Sequence, residues 1–217
     1  MPDIPPPSLA QEFAALIGKH TGDARVGERL WREIRDAYSA HGRHYHTLAH
    51  IEQMLSELRQ VRHMIRDWDC LLFALYYHDI VYVPAHDQNE AQSAAIAAAR
   101  LGEIGFSPAG VEKIQCLILA TRKHAPSEDE DTNFLTDADL SGLGQSRKIH
   151  HDCATRIRRE YVMFSTPVYN AGRVRVLQSF LAMPAIFKMR HFHEKFESQV
   201  RQNLNEEIAL LSVAQSA

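Results

Sequence analysis

Three short segments of this sequence combine side chains that could bind a metal ion. They are YHTLAHI (45–51), LLFALYYHDIVYV (71–83) and TDADLSGLG (136–144). The first supplies histidines, the second a His-Asp pair and the third two aspartates. Imidazole nitrogens and carboxylate oxygens are suitable donors for Mn, Fe, Co, Ni or Mg. If the helices that carry them pack together, the three segments predict a divalent-metal site without cysteine.

The first segment predicts one inward-facing histidine. A helix that begins near Thr47 would place His50 in its first turns, on the same side as Ile51 and Met54. His46 would precede the N-cap, so the HxxxH spacing does not put both histidines on one face. A single histidine on an apolar face is more often a hydrogen-bonded core residue, and that alternative stays open for His50.

The second segment predicts a buried pair of polar side chains. His78 and Asp79 fall in the C-terminal half of a helix that is apolar nearly all round and is therefore expected inside the bundle. A buried carboxylate without a partner is costly, so it ends up paired or bound to a metal. The alternative is a His–Asp hydrogen bond in the core.

The third segment contains two carboxylates, two positions apart. Asp137 and Asp139 precede a Leu-Ser-Gly sequence that is typical of a tight turn. Either aspartate could instead cap a neighbouring helix. The local pattern does not decide which of the two faces inward.

The composition is that of an ordinary globular protein. The chain has 217 residues, 45% of them hydrophobic and 24% charged, which suits one domain. The net charge of -3 argues against general nucleic-acid binding through a basic surface. No apolar run approaches the ~18 residues that span a bilayer, and the beginning of the sequence lacks the features of a secretory signal. We therefore expect a cytoplasmic protein without a membrane partner.

The cysteines predict neither a disulfide nor a cysteine zinc site. Cys70, Cys116 and Cys153 lie far apart and form no CxxC pair. Cys70 and Cys116 are next to apolar runs, so we expect both in the core.

Apolar residues recur at helical spacing nearly throughout, and strand-like alternation is confined to short fragments. Val26, Leu30, Ile34 and Tyr38 form one stripe, in a helix expected to end at Gly42. A second helix is predicted to start near Thr47, and a third to run from Cys70 to Tyr82 with Asp69 as its cap. The fourth covers 89–101, and the fifth runs from Ser107-Pro108 to before Pro126. An acidic surface loop is expected at 127–131, followed by helices over 148–164, 168–181 and 192–211. The expected fold is all-α, a compact single-domain helical bundle over 21–215, preceded by a flexible lead-in and a first short helix in 1–20.

The order H…HD…D resembles the HD-domain superfamily of metal-dependent phosphohydrolases. The stretches RHYHTLAHI, FALYYHDIVYVP, NEAQSAA, LATRKH and FLTDADLSGLG are similar, in this order, to the group of predicted HD-superfamily metal-dependent phosphohydrolases. The resemblance implies an all-α fold of the HD type. It implies His50 as the first ligand, His78 and Asp79 as the HD pair, and Asp139 as the distal aspartate. Superfamily sequences often have ADRL where this chain has ADLS, which leaves Asp137 as a substitute.

The resemblance also implies a reaction, the hydrolysis of a phosphate ester of a nucleotide or other small phosphorylated metabolite. Asp79 would orient or deprotonate the attacking water while it binds the metal. A charge-rich transition state needs cationic groups, and the candidates are Arg43, His46, Lys123 and His124.

Some of these candidates have a second interpretation. Lys123 and His124, at the end of a predicted helix, could instead stabilise its dipole, and His124 could bind a second metal ion. Glu90 is a candidate for orienting water, or simply an acid in the first turn of a helix. The remaining histidines are expected mostly at the surface: His20, His41, His63, His86, His150, His151, His191 and His193.

Two other functions are compatible with the same residues. One is an HD-fold di-iron oxygenase, for which His46 and His124 would supply the additional ligands. The other is a regulatory module that binds metal without turnover. A homo-oligomer is compatible with the sequence, which does not indicate the oligomeric state.

Overall fold

The computed structural model describes residues 7–213, and every regular element in that range is a helix. The all-α prediction is therefore confirmed. None of these helices is long and apolar enough to cross a membrane. The predicted flexible lead-in falls largely on residues 1–6, which lie outside the described residues. The same is true of residues 214–215 at the end of the predicted domain. The helices are α1 Leu9–Gly18, α2 Ala24–Tyr38, α3 Leu48–Gln60, α4 Trp68–Tyr77, α5 Asn89–Glu103, α6 Pro108–Ala120, α7 Glu130–Leu140, α8 Arg147–Glu160, α9 Thr166–Leu181 and α10 Arg190–Val213.

The described residues group into two compact units, 7–41 with 67–122 and 42–66 with 123–213. The first contains α1, α2, α4, α5 and α6, and the second contains the other five helices with two short 3-10 helices, Arg62–Met64 and Ser141–Gly144. The predicted division at residue 20 stays a prediction.

The core of the first unit forms around α4. Every residue of this helix from Cys70 to Tyr77 is buried, and the helix packs against α5 and α6. The sequence predicts this position because α4 has no polar face. The first turn is capped by Asp67, whose side chain accepts a hydrogen bond from the Cys70 N–H. Asp69, the predicted cap, instead forms an ion pair with Lys19.

α4 ends earlier than predicted, at Tyr77 rather than Tyr82. Side chains from α5 replace the helical hydrogen bonds of the next residues. The Ser93 hydroxyl accepts from the Val81 N–H, and the Asn89 side-chain oxygen accepts from the Val83 N–H. His78 and Asp79 consequently lie just beyond the end of α4 and not inside a longer helix.

The second unit is organised by α3, α7 and α10. α3 packs against α7, and α10 packs against α9 and the 3-10 helix Ser141–Gly144. Close packing at this 3-10 helix requires Gly144, because a Cβ there would lie 2.6 Å from Phe196 Cβ. The Leu-Ser-Gly sequence predicted as a tight turn contains the last residue of α7 and the first two residues of this 3-10 helix, and Asp137 and Asp139 both belong to α7.

Several other predicted boundaries are wrong by a few residues. α2 ends at Tyr38, and Gly42 adopts a positive φ of 91° in the following turn. α6 ends at Ala120, so Lys123 and His124 follow the helix and do not terminate it. α8 ends at Glu160, four residues before the predicted end. The other predicted helices agree with the structure to within two residues at each end.

The predicted acidic surface loop at 127–131 is only partly exposed. Asp129 caps α7 by accepting a hydrogen bond from the Thr132 N–H. Asp131 is fully buried and accepts from the Arg66 N–H at 2.8 Å. The prediction for the cysteines also needs correction: Cys70 is buried as expected, whereas Cys116 is exposed.

Candidate metal centre

In the second unit, the carboxylate of Asp139 lies between two imidazole rings. Its Oδ1 is 3.0 Å from His50 Nε2, and its Oδ2 is 2.8 Å from His124 Nε2. The side chain of His50 is 2% exposed and that of Asp139 16% exposed. The three groups thus form a mostly buried cluster of nitrogen and oxygen donors with limited access to solvent.

α3 places His50 in this cluster. The helix begins directly after Thr47, as predicted, and His50 is its third residue. The buried side of α3 carries Ile51, Met54 and Leu55, and it packs against α7, the helix of Asp139. The predicted inward direction of His50 is therefore confirmed.

His124 reaches Asp139 from a loop in which its backbone has a left-handed conformation, with φ of 51°. Its carbonyl oxygen accepts a hydrogen bond from Lys188 Nζ at 3.3 Å, and its ring packs edge-on against Phe180. A positive φ is uncommon for a residue with a side chain, so these contacts hold His124 in a conformation that the loop alone disfavours.

Asp137 has a different environment from Asp139, although both belong to α7. Its fully buried carboxylate pairs with Lys188 Nζ at 2.8 Å and accepts hydrogen bonds from the N–H groups of Lys188 and Met189 at 2.9 and 2.7 Å. Burial raises the pKa of Asp137, although Lys188 and the two N–H groups oppose this effect. Asp137 anchors the segment before α10, and Asp139 is the aspartate that faces the histidines.

The HD pair belongs to the first unit. His78 Nδ1 lies 2.8 Å from the Leu75 carbonyl oxygen, so Nδ1 carries a hydrogen and donates it. His78 Nε2 lies 3.4 Å from Asp79 Oδ2, and the Asp79 N–H donates to the Tyr38 hydroxyl at 3.1 Å. In the neutral ring, Nε2 then carries the lone pair that a metal ion requires.

His50 and Asp139 of the second unit belong to a group of side chains that could hold a metal ion. An imidazole nitrogen and a carboxylate oxygen suit the divalent ions predicted from the sequence. The donor chemistry therefore fits a metal. The identity of the ion and the participation of His78 and Asp79 stay predictions.

The remaining predicted catalytic residues have diverse positions. Arg43 donates to the His46 carbonyl oxygen at 3.2 Å, so it supports the backbone of the segment before α3. Lys123 is exposed, and Glu90 is partly buried in the first turn of α5. A catalytic role for any of these residues stays a prediction.

Glu160 is a residue near the site that the sequence did not indicate. This side chain is fully buried at the end of α8 and pairs with His46. Burial alone would raise the pKa of Glu160, but hydrogen bonds from His46 and the neighbouring backbone outweigh it and lower the pKa to about 2. The contact joins positions 114 residues apart, and no local pattern could have predicted it.

His150 corrects the expectation that most of the other histidines lie at the surface. It is buried, and its Nε2 lies 2.8 Å from Glu207, which also pairs with Arg173. Burial opposes ionisation of Glu207, but His150 and Arg173 lower its pKa to about 2. His20 and His191 are partly exposed, and five histidines are exposed as expected: His41, His63, His86, His151 and His193.

Comparison with known proteins does not identify a relative. No family model, no curated protein and no solved structure matches this chain.

Proposed function

We propose that this protein is a metal-dependent phosphohydrolase that cleaves a phosphate ester of a nucleotide or another small phosphorylated metabolite. The observation that carries the proposal is the Asp139 carboxylate held between His50 Nε2 and His124 Nε2. The resemblance of the sequence to HD-type phosphohydrolases supports it. We propose His50, His78, Asp79 and Asp139 as the ligands of one divalent ion.

A divalent ion in such a site supplies Lewis acidity, which polarises a phosphoryl oxygen and lowers the pKa of water. The residues of the chain provide the rest of the chemistry. His50 and Asp139 hold their donor atoms in a buried setting, where electrostatic interactions are stronger than in water. Asp79, 14% exposed at its side chain, is our candidate for accepting a proton from the attacking water. Lys123 and Arg43 are candidates for binding the phosphate of the substrate.

The metal site can be tested with a matched pair of variants. His50 and His150 are both buried histidines whose Nε2 lies close to a carboxylate, at 3.0 and 2.8 Å. We expect His50→Gln to lose bound metal, measured by elemental analysis after loading with Mn²⁺ or Co²⁺. His150→Gln should retain it. Equal metal content in both variants would contradict the assignment.

The HD pair provides a second arm of the same test. We expect His78→Ala and Asp79→Ala to lose metal while their far-ultraviolet circular dichroism stays that of the wild type. Unchanged metal content in both variants would exclude the pair as ligands, and only the residues of the second unit would then remain as candidates.

The reaction can be tested by a screen of phosphorylated compounds. Nucleotides, sugar phosphates and p-nitrophenyl phosphate would each be incubated with Mn²⁺, Co²⁺, Ni²⁺ and Mg²⁺ separately, and released phosphate measured. We expect turnover that His50→Gln abolishes and His150→Gln retains. No release from any compound would contradict the proposed hydrolysis and favour a metal-binding regulatory module.

One observation favours an oxidative alternative. Asp139 presents one oxygen to His50 and the other to His124, an arrangement suited to a carboxylate that bridges two ions. A di-iron oxygenase would contain two irons per chain and consume oxygen with substrate. Iron analysis of protein purified without added metal, combined with an oxygen electrode, separates it from the hydrolase.

A further inference from the structure

Glu160 binds the segment before α3 through both of its carboxylate oxygens. Oε1 accepts hydrogen bonds from three consecutive backbone N–H groups, those of His44, Tyr45 and His46, at 2.7, 2.7 and 3.0 Å. Oε2 lies 2.7 Å from His46 Nδ1. One buried carboxylate therefore fixes both the backbone of this segment and the ring of His46.

These contacts determine which nitrogen of the His46 ring carries the hydrogen. An ionised carboxylate can only accept hydrogen bonds, and the lowered pKa of Glu160 keeps it ionised near neutral pH. Nδ1 must therefore be the donor. In the neutral ring, Nε2 then has a lone pair and acts as an acceptor.

The ring of His46 lies beside the proposed metal ligand His50. The two ring centroids are 5.9 Å apart in an edge-on arrangement, and Tyr45 packs against both rings at 5.0 and 5.1 Å. An acceptor nitrogen at this place can hold a water molecule through its hydrogen. It cannot bind a phosphoryl oxygen, which is itself an acceptor.

We infer that Glu160 is a positioning residue that locks His46 as the Nδ1–H tautomer, so that Nε2 accepts a hydrogen bond from the attacking water. The inference rests on the proposed hydrolysis, and it gives His46 a role in orienting water instead of binding phosphate. Histidines in metal sites are commonly oriented in this way by a carboxylate on their other nitrogen.

Glu160→Gln tests the lock because an amide cannot reproduce both sets of contacts. The three backbone N–H groups require the amide oxygen at the position of Oε1, so the amide NH₂ must face His46 Nδ1. Nδ1 then becomes the acceptor and the hydrogen moves to Nε2. The substitution retains the size of the side chain and reverses the tautomer.

The tautomer is measured from the ring nitrogens in a long-range ¹H–¹⁵N spectrum, with His46→Gln used to assign the signals. We expect the Nδ1–H pattern in the wild type and the Nε2–H pattern in Glu160→Gln. With Mn²⁺ and p-nitrophenyl phosphate, kcat should fall by about tenfold or more, the scale typical of losing such a partner, with little change in KM. The control is Glu207→Gln, which changes the other buried His–Glu pair of this unit and should affect neither readout.

The wild-type spectrum alone decides the tautomer, even if Glu160→Gln does not fold. An Nε2–H pattern there would overturn the inference, and so would unchanged kcat in a Glu160→Gln variant with a reversed tautomer. A third outcome is a wild-type protein that shows the Nδ1–H pattern but hydrolyses no phosphate ester. This outcome would support the positioning of the His46 ring by Glu160. It would overturn both the role of His46 in orienting water and the proposed hydrolysis.

Discussion

Asp137 and Asp139 lie two positions apart on α7, yet their surroundings differ in kind. Asp137 is fully buried and is paired with a lysine and two backbone N–H groups. Asp139 contacts two imidazole rings and is partly accessible. A carboxylate neutralised by a lysine has its charge satisfied within the fold, whereas one beside histidines keeps donors that a cation can use. We therefore expect the Asp137 region to control stability and the Asp139 region to control metal binding.

The largest expected effect comes from breaking the ion pair of Asp137. Lys188→Met leaves a buried carboxylate without its cation and should lower the free energy of unfolding by about 3–5 kcal/mol, measured by urea denaturation. The control is Lys195→Met, which removes a lysine paired with Glu57 and 38% exposed at its side chain. That variant should lose ~1 kcal/mol or less.

A double-mutant cycle isolates the pair itself. Asp137→Asn combined with Lys188→Met should be less destabilised than the sum of the single variants, because no unpaired charge is then buried. Additive losses would show that the two side chains do not stabilise each other. The proposal that Asp137 stabilises the fold whereas Asp139 binds metal would then lose its physical basis.

Most of the helices could be predicted from the sequence, but α7 (Glu130–Leu140) was not among them, and its environment could not be predicted either. Periodicity is a local property, so the start of α3 and the inward direction of His50 followed from a few neighbouring residues. Lys188, which distinguishes Asp137 from Asp139, lies 51 positions further along the chain. His150 was expected at the surface because its neighbours are polar, and only its contact with Glu207 on α10 explains its burial.

The end of α4 illustrates a second limit. The apolar pattern continues to Tyr82, and periodicity therefore extended the helix past His78 and Asp79. The side chains of Ser93 and Asn89 bind the N–H groups of this segment and make a non-helical path favourable. Tertiary hydrogen bonds of this kind outweigh local helix propensity.

The next effect concerns acid stability, to which Glu160 and Glu207 contribute. The pKa of each is about 2 in the folded protein and 4.5 ordinarily. Because the folded value is the lower one, this stabilisation is complete above pH 4.5 and is lost as the pH falls towards 2. Each carboxylate should contribute about 3 kcal/mol at neutral pH.

Urea denaturation between pH 7 and pH 3 measures this contribution. In Glu207→Gln the loss of stability on acidification should be smaller than in the wild type, because one titrating group is absent. An equal loss would contradict the lowered pKa. Asp137→Asn should not reduce the loss of stability between pH 7 and pH 3, because burial raises the pKa of Asp137. The two buried carboxylates should therefore differ in their effect on acid stability.

A smaller effect is expected at the packing contact behind α7. Gly144→Ala would place a Cβ 2.6 Å from Phe196 Cβ, and the resulting displacement of α10 should cost about 1–3 kcal/mol. Gly172→Ala is the control, because its Cβ would meet nothing within 4 Å. Bound metal per folded chain should be the same in both variants. A loss of metal in Gly144→Ala alone would mean that stability and metal binding are not separable in this unit.

The smallest effect on stability, and the most informative one, is expected for Asp139→Asn. The amide fills the same space and can still hydrogen bond to His50 and His124, so the free energy of unfolding should change by less than about 1 kcal/mol. Affinity for Mn²⁺ or Co²⁺ should nevertheless fall at least about tenfold, because the anionic donor is gone, and calorimetric titration measures it. Asp137→Asn should show the reverse, with a large loss of stability and unchanged affinity in the fraction that stays folded. The opposite result would be a loss of metal from Asp137→Asn at constant stability. Asp137 would then be the metal ligand and Asp139 a hydrogen-bonded core residue. The ion pair of Asp137 with Lys188 would not be the contact that stabilises the fold.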